Sequence, residues 1–221
     1  MYSEQEAKRF IEYFQEELVN VMKVKSRLFK KILLFTIIDC LGTSCDCPRK
    51  SHHEKILHLI SELSNWNDQN KVSSPQLAVV LKNKGLSDQD LYKKVYKKIG
   101  SWTDGQEPQI SNDFEFQELS DEADENTHKT LEKHRHRERL YEYRNTLIHE
   151  FREPGYSFEH DDEEMPYYLM IDDNWELAYP VNFIKMITWN ILCALPEYFK
   201  KHNINPYENY SFGSPWGPKI I

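Results

Sequence analysis

Apolar side chains recur every three or four positions along most of the chain, which is the spacing of a buried helix face. Between Met1 and Cys40 this pattern begins just after Ser3, which can cap the helix. Glu6, three residues later, completes a capping box with it. The stretch 28–41 is apolar nearly all round, which predicts a central core helix that ends at Gly42. We therefore predict helix throughout 1–40. The inward positions of its first half are Phe10, Phe14, Leu18 and Val21.

The same spacing predicts further helices, and one segment breaks the pattern. Two β-prone runs, 167–171 and 175–179, flank the turn-forming residues 172–174, which predicts a β-hairpin. The fold class is therefore mainly all-α, a helical bundle with a small hairpin before the last helix. We predict one domain over 1–205, with an acidic segment at 113–126 and an aromatic, Pro-rich tail at 206–221. The other predicted helices are 53–66, 76–81, 88–99, 127–152 and 181–201.

Composition and charge narrow the class of protein. With 221 residues, 39% hydrophobic and 13% aromatic residues, the chain can bury a core and is not a disordered polymer. The longest apolar run, 32–38, is too short to cross a bilayer, and it does not have the position of a signal peptide. Four Cys in a chain of this length do not make a disulfide scaffold, so we expect a reduced cytoplasmic protein. Because the apolar run is short, we expect no membrane partner. At a net charge of −8, any anionic partner must bind a local basic patch.

Such a patch lies in the predicted helix 127–152. At about 100° per residue, one strip of this helix presents guanidinium, amide, phenol and imidazole groups beside an apolar stripe. The residues of the strip are Arg137, Tyr141, Arg144 and Ile148 along the border, and His134, Asn145, His149 and Arg152 beyond it.

These groups suit the cleavage of RNA by its own 2′-hydroxyl. Arg matches a phosphate with a planar fork of donors, and His can move protons near neutral pH. Such cleavage needs a base, an acid and a cation, but no metal. The alternative is structural: Arg144 and His149 would pair with nearby carboxylates such as Glu142 and Glu150 inside a helical scaffold. Spacing by itself favours that alternative.

The hexapeptide RNTLIH, from Arg144 to His149, resembles the signature of the HEPN superfamily (higher eukaryotes and prokaryotes nucleotide-binding domains). That signature has an Arg, a polar residue directly after it, often Asn, and a His after a gap of four to six residues. The segment LLFTIIDCLG, from Leu33 to Gly42, resembles the core first helix of such domains. The segments HEFREPG and WELAYP resemble features of uncharacterised bacterial HEPN-like proteins.

The resemblance implies a homodimer in which the motif helices of two protomers form one composite RNase site. Arg144 would hold the scissile phosphate, His149 would act as general acid or base, and Asn145 would position both, without a metal or cofactor. The resemblance also implies a toxin or phage-defence setting, with an antitoxin or nucleotidyltransferase as a possible partner. RNA-binding roles for His134, Arg137, Tyr141 and Arg152 rest on the helical strip alone.

The leading prediction is therefore a metal-independent endoribonuclease. The alternative is a non-catalytic HEPN-like module that binds RNA or a partner chain, as some members of the superfamily do. The predicted hairpin and acidic segment depart from the minimal HEPN domain.

A second candidate site lies in CDCPRKSHH, where Cys45, Cys47, His52 and His53 fall within nine residues. Four such ligands could hold zinc. However, Cys-x-Cys is not the usual zinc-knuckle spacing, and adjacent His residues rarely bind one ion. A plain loop is therefore the preferred interpretation.

Overall fold

The computed structural model describes residues 1–45, 51–103, 105–155 and 158–210. These ranges contain ten α-helices and a two-stranded antiparallel sheet, so the predicted fold class is confirmed. The helices are α1 (Glu4–Met22), α2 (Arg27–Ser44), α3 (His52–Leu63), α4 (Ser74–Asn83), α5 (Asp90–Ile99), α6 (Phe116–Ser120), α7 (Glu125–Lys133), α8 (His136–Glu150), α9 (Val181–His202) and α10 (Pro206–Asn209). The strands are β1 (Tyr167–Ile171) and β2 (Asn174–Ala178). None of the described helices is long and apolar enough to span a membrane.

The chain divides into two compact units, one formed by Met1–Asn65 with Ile187–Ile221 and the other by Trp66–Met186. In the first unit, α1 begins where the Ser3 hydroxyl accepts a hydrogen bond from the Glu6 amide. Its inward apolar side chains are buried as predicted. The predicted continuous helix over 1–40 is wrong, because the Ser26 hydroxyl accepts from the Phe29 amide and caps a new helix, α2.

Gly42 has a different role from the predicted one. It does not end α2, which continues to Ser44. A Cβ atom at Gly42 would lie 2.9 Å from Cδ1 of Ile56 in α3. The absence of a side chain at Gly42 therefore lets these two helices approach closely.

The second unit contains α4 to α8, the hairpin and the start of α9. Part of its core is an apolar cluster contributed by α4, α5, α6 and α7. The predicted hairpin is confirmed, with Tyr167 opposite Ala178 and Ile171 opposite Asn174. The buried residues of the cluster are Val72, Leu77, Ala78, Leu81, Leu91, Val95, Leu119 and Leu131.

The predicted helix 127–152 is two helices, α7 and α8, separated at residues 134 and 135. An extended segment at 71–73 runs beside this break. The amide of Ser73 donates to the carbonyl of His134, and the amide of His136 donates to the carbonyl of Lys71, both at 2.9 Å. The break arises because these long-range bonds replace helical ones.

The predicted acidic segment at 113–126 contains the short helix α6 and the start of α7. Of the predicted tail, 206–209 forms α10, whereas 211–221 lies outside the described residues.

Candidate functional site

Helix α8 carries the Arg-Asn-x3-His motif in its second half. The helix ends because Phe151 adopts a left-handed conformation, with φ of 56° and ψ of 35°. His149 therefore lies in the last turn of α8, whereas Arg144 lies well inside the helix.

The three motif side chains contact one another. Nη1 of Arg144 donates to Oδ1 of Asn145 at 2.9 Å and lies 3.4 Å from Nε2 of His149. The guanidinium carbon of Arg144 is 5.9 Å from the ring centre of Tyr141. Asn145 thus holds the guanidinium beside the imidazole.

Exposure differs between the two central residues. Arg144 is 7% exposed, whereas His149 is exposed to solvent. Because a guanidinium only donates, Nε2 of His149 must present a lone pair to Nη1 of Arg144 when the two form a hydrogen bond. The motif can therefore hold a neutral imidazole, with Nε2 as the proton acceptor, beside a permanent positive charge.

Two carboxylates close to the motif in sequence, Glu142 and Glu150, form ion pairs with other residues. Glu142 contacts the guanidinium of Arg139, three residues earlier in the helix. Glu150 contacts Arg152, with 2.6 Å between oxygen and nitrogen. These two carboxylates are therefore not the partners of Arg144 and His149.

The structure places the other predicted RNA-binding residues differently. Arg137 and Tyr141 lie on α8 with the motif and are half-buried. Arg152 follows the helix end and is exposed. His134 does not lie on α8, so its assignment to the strip is wrong. The break between α7 and α8 makes it the C-terminal cap of α7 instead.

His134 has a distinct environment there. Its side chain is buried, and Nδ1 lies 2.7 Å from the carbonyl oxygen of Thr130. Burial lowers the pKa of His134 to about 4, with further lowering by Arg139, Lys84 and Lys133, while the bond to Thr130 opposes it. The imidazole is therefore neutral at neutral pH.

Sequence reasoning missed a buried polar cluster that supports the first turn of α8. Nε2 of His136 lies 2.8 Å from Oδ2 of Asp113, which also accepts a 2.6 Å bond from the Tyr168 hydroxyl. Oδ1 of Asp113 accepts from the amide of Ser74 at 3.1 Å. Burial and the adjacent Asp113 raise the pKa of Tyr168 well above its usual value, which keeps its hydroxyl a donor. No local signal joins these residues, because they come from distant parts of the chain.

The Cys-His candidate lies partly outside the described residues, because Cys47 is not among them. Cys45 is buried at the end of α2, and Nε2 of His52 lies 3.7 Å from Oδ1 of Asp39. In the described ranges, no three His, Cys, Asp or Glu side chains are grouped so that they could hold a metal ion.

Comparison with known proteins gives no relative from which a function could be transferred. The chain matches no protein-family model, no curated protein and no solved structure.

Proposed function

We propose that this chain is a metal-independent endoribonuclease of HEPN type that cleaves RNA through attack by its 2′-hydroxyl. One observation carries the proposal. A permanent cation, an amide and an exposed imidazole lie together on one helix, with Nη1 of Arg144 at 2.9 Å from Asn145 and 3.4 Å from His149.

The roles follow from the chemistry of these groups. Arg144 contacts the non-bridging oxygens of the phosphate and stabilises the charge that develops there. Nε2 of His149 accepts the proton of the 2′-hydroxyl, and the 2′-oxygen then attacks phosphorus. The 5′-oxygen leaves with a proton, so that the products carry a 2′,3′-cyclic phosphate and a 5′-hydroxyl.

The reaction also needs an acid for the leaving oxygen. The motif supplies one histidine per chain, and one imidazole cannot accept one proton and donate another at the same moment. We assign the acid to His149 of a second copy, which makes the homodimer part of the proposal. A toxin or phage-defence setting in the cytoplasm, with an antitoxin or nucleotidyltransferase partner, rests on the resemblance alone.

The test is cleavage of an end-labelled structured RNA by the purified chain in EDTA. We expect cyclic-phosphate ends, and a loss of at least about a hundredfold in rate in His149→Gln and Arg144→Ala. His202→Gln and Arg9→Ala are matched controls at exposed positions in other helices, and they should cleave like the wild type. Cleavage that persists in both motif variants would contradict the proposal.

The burial of Arg144, at 7% exposure, favours a second candidate, the non-catalytic module that binds RNA or a partner chain. In that case Arg144 would shape the surface of α8 without contacting a reacting phosphate. The same preparations discriminate between the two. A wild type that binds RNA but leaves every tested RNA intact in EDTA would support the binding module.

A further inference from the structure

A groove of about 610 Å³ lies in the second unit. Arg144, Asn145 and His149 do not line it, although Arg139 of the same helix, α8, does. It is lined by parts of α4, α5 and the hairpin turn, and its size is that of a typical small-ligand site. We call it the tyrosine groove. The lining residues used below are Lys82, Tyr92, Tyr96, His134, Arg139 and Trp175.

Two tyrosines form an aromatic surface in this groove. The rings of Tyr92 and Tyr96 stack, with 5.6 Å between their centres and 17° between their planes. Tyr96 is 60% exposed, which leaves one of its ring faces available to a ligand. Across the groove, Trp175 is held edge-on against Trp102. Exposed aromatic faces of this kind are the surfaces on which unpaired bases stack.

Positive charge borders the aromatic surface. Lys82 lines the groove, is exposed and forms no ion pair with any described residue. Lys97 lies outside the lining, but it follows Tyr96 in the chain, is exposed and forms no ion pair with any described residue. Arg139 adds a guanidinium at the other side of the groove. The acidic groups Asp173 and Glu176 line only the hairpin side. A polyanion in the groove would therefore place its phosphates near Lys82 and a base against Tyr96.

His134 lines the groove and is buried. The carbonyl of Thr130 can only accept, so Nδ1 of His134 carries the ring proton. Nε2 is then a lone pair, and this buried atom has no hydrogen-bond partner among the described residues. Because Nε2 has almost no exposed surface, it belongs to the buried wall of the groove and not to the surface open to a ligand.

We propose that the tyrosine groove binds an unpaired base of single-stranded RNA, which stacks on Tyr96 while the adjoining phosphates contact Lys82 and Lys97. A single strand of RNA supplies both groups at once, a base that stacks on an exposed ring and phosphates that pair with exposed lysines. This inference rests on the proposed function only for the choice of RNA as the ligand, since the groove and the motif are separate sets of side chains.

The test measures binding without cleavage. The probe is a short, fluorescein-labelled single strand of RNA of mixed sequence. Its 2′-O-methyl groups prevent cleavage, because no 2′-hydroxyl is left to attack the phosphate. The probe is titrated with the full chain in EDTA, and binding is followed by fluorescence anisotropy. Tyr96→Ala should raise Kd at least about fivefold, because one base–aromatic stack is lost. Tyr96→Phe keeps the ring and should stay within about twofold of the wild type.

The matched control is Phe29→Ala, which removes an exposed aromatic ring from α2 and should leave Kd unchanged. Photocrosslinking with 5-iodouridine should place the modified residue within 92–99. Unchanged binding in Tyr96→Ala, an equal loss in Phe29→Ala, or no RNA binding by the wild type would each overturn the proposal.

The two proposals can fail separately. If Arg144→Ala abolishes cleavage while Tyr96→Ala binds RNA normally, the groove proposal is wrong and the endoribonuclease stands. If Tyr96→Ala weakens binding while the wild type cleaves nothing, the groove stands and the endoribonuclease is wrong.

Discussion

Three histidines close together in the sequence show how local environment decides the chemistry of one side chain. His134 is buried and keeps a neutral ring, and His136 is buried against the carboxylate of Asp113. His149 is exposed beside Arg144. Of these three, only His149 combines access to solvent with a neighbouring cation, and for that reason the proposed reaction assigns the proton transfer to it.

His134 should make the stability of the fold depend on pH. Its pKa is about 4 in the folded chain, against an ordinary value of 6.5, so the unfolded chain binds more protons between these values. The neutral His134 therefore makes its full contribution to the free energy of unfolding above pH 6.5. About 3 kcal/mol of that free energy is lost as the pH falls to 4. In His134→Asn, urea denaturation should give a flatter pH dependence over this interval. A variant curve parallel to that of the wild type would contradict the assignment.

Substitution of Asp113 should destabilise the fold more than substitution of most other polar residues of the second unit. It accepts bonds from the Tyr168 hydroxyl and the Ser74 amide and contacts His136, and an Asn there cannot accept from all three. We expect Asp113→Asn to lower the free energy of unfolding by about 3 kcal/mol. Asp88→Asn, at an exposed position, should change it by less than about 0.5 kcal/mol. Equal effects of the two variants in urea denaturation would disprove the role of the cluster.

At the scale of elements, short-range turn chemistry and long-range pairing have different effects. The hairpin forms where the local pattern predicts it, around a two-residue turn in which Asp172 and Asp173 have φ values of 47° and 62°. The break between α7 and α8 has another cause, since residues 71–73 supply its hydrogen-bond partners. That break removes His134 from the motif helix and places it on the wall of the tyrosine groove.

The positive φ angle of Asp173 in the hairpin turn should cost stability, and substitutions at this position test that cost. Glycine adopts positive φ without the steric cost that Asp bears, so Asp173→Gly should raise the free energy of unfolding by about 0.5 kcal/mol. Asp173→Val, with a β-branched side chain, should lower it by about 1 kcal/mol or more. The φ angle of Asp88 is not positive, so Asp88→Gly should not raise the free energy of unfolding. A gain in thermal stability in Asp88→Gly as large as in Asp173→Gly would contradict this explanation.

At the scale of the whole molecule, the proposed activity requires more than one copy of an acidic chain. The net charge of −8 disfavours general binding of RNA, so the two proposals require local cations, Arg144 in one and Lys82 in the other. The motif has one histidine per chain, and the proposed reaction uses a base and an acid together.

Sedimentation velocity tests this requirement directly. At the concentrations at which RNA is cleaved, the chain should sediment with twice its mass of 26.5 kDa. His149→Gln should form the same dimer, because the substitution changes the chemistry of one side chain and not the apolar packing. Full activity from a species of 26.5 kDa would show that the acid comes from within one chain.

The sequence by itself determined the features that depend on neighbours in the chain. The buried faces of α1 and of α9, the hairpin around 172–173 and the clustering of Arg144, Asn145 and His149 all follow from local periodicity, turn residues and helical spacing. These interactions join residues no more than a few positions apart, so their geometry is fixed once the secondary structure is known.

Only the tertiary structure decided the rest. The break at 134–135, the contact of Asp113 with His136 and the approach of α4, α5 and the hairpin around Tyr96 all join segments far apart in sequence. Periodicity carries no information on which distant segment supplies a hydrogen-bond partner or a covering side chain. For that reason the sequence located Arg144, Asn145 and His149 on one helix but did not reveal that His134 lies outside that helix, or that a groove lies beside α5.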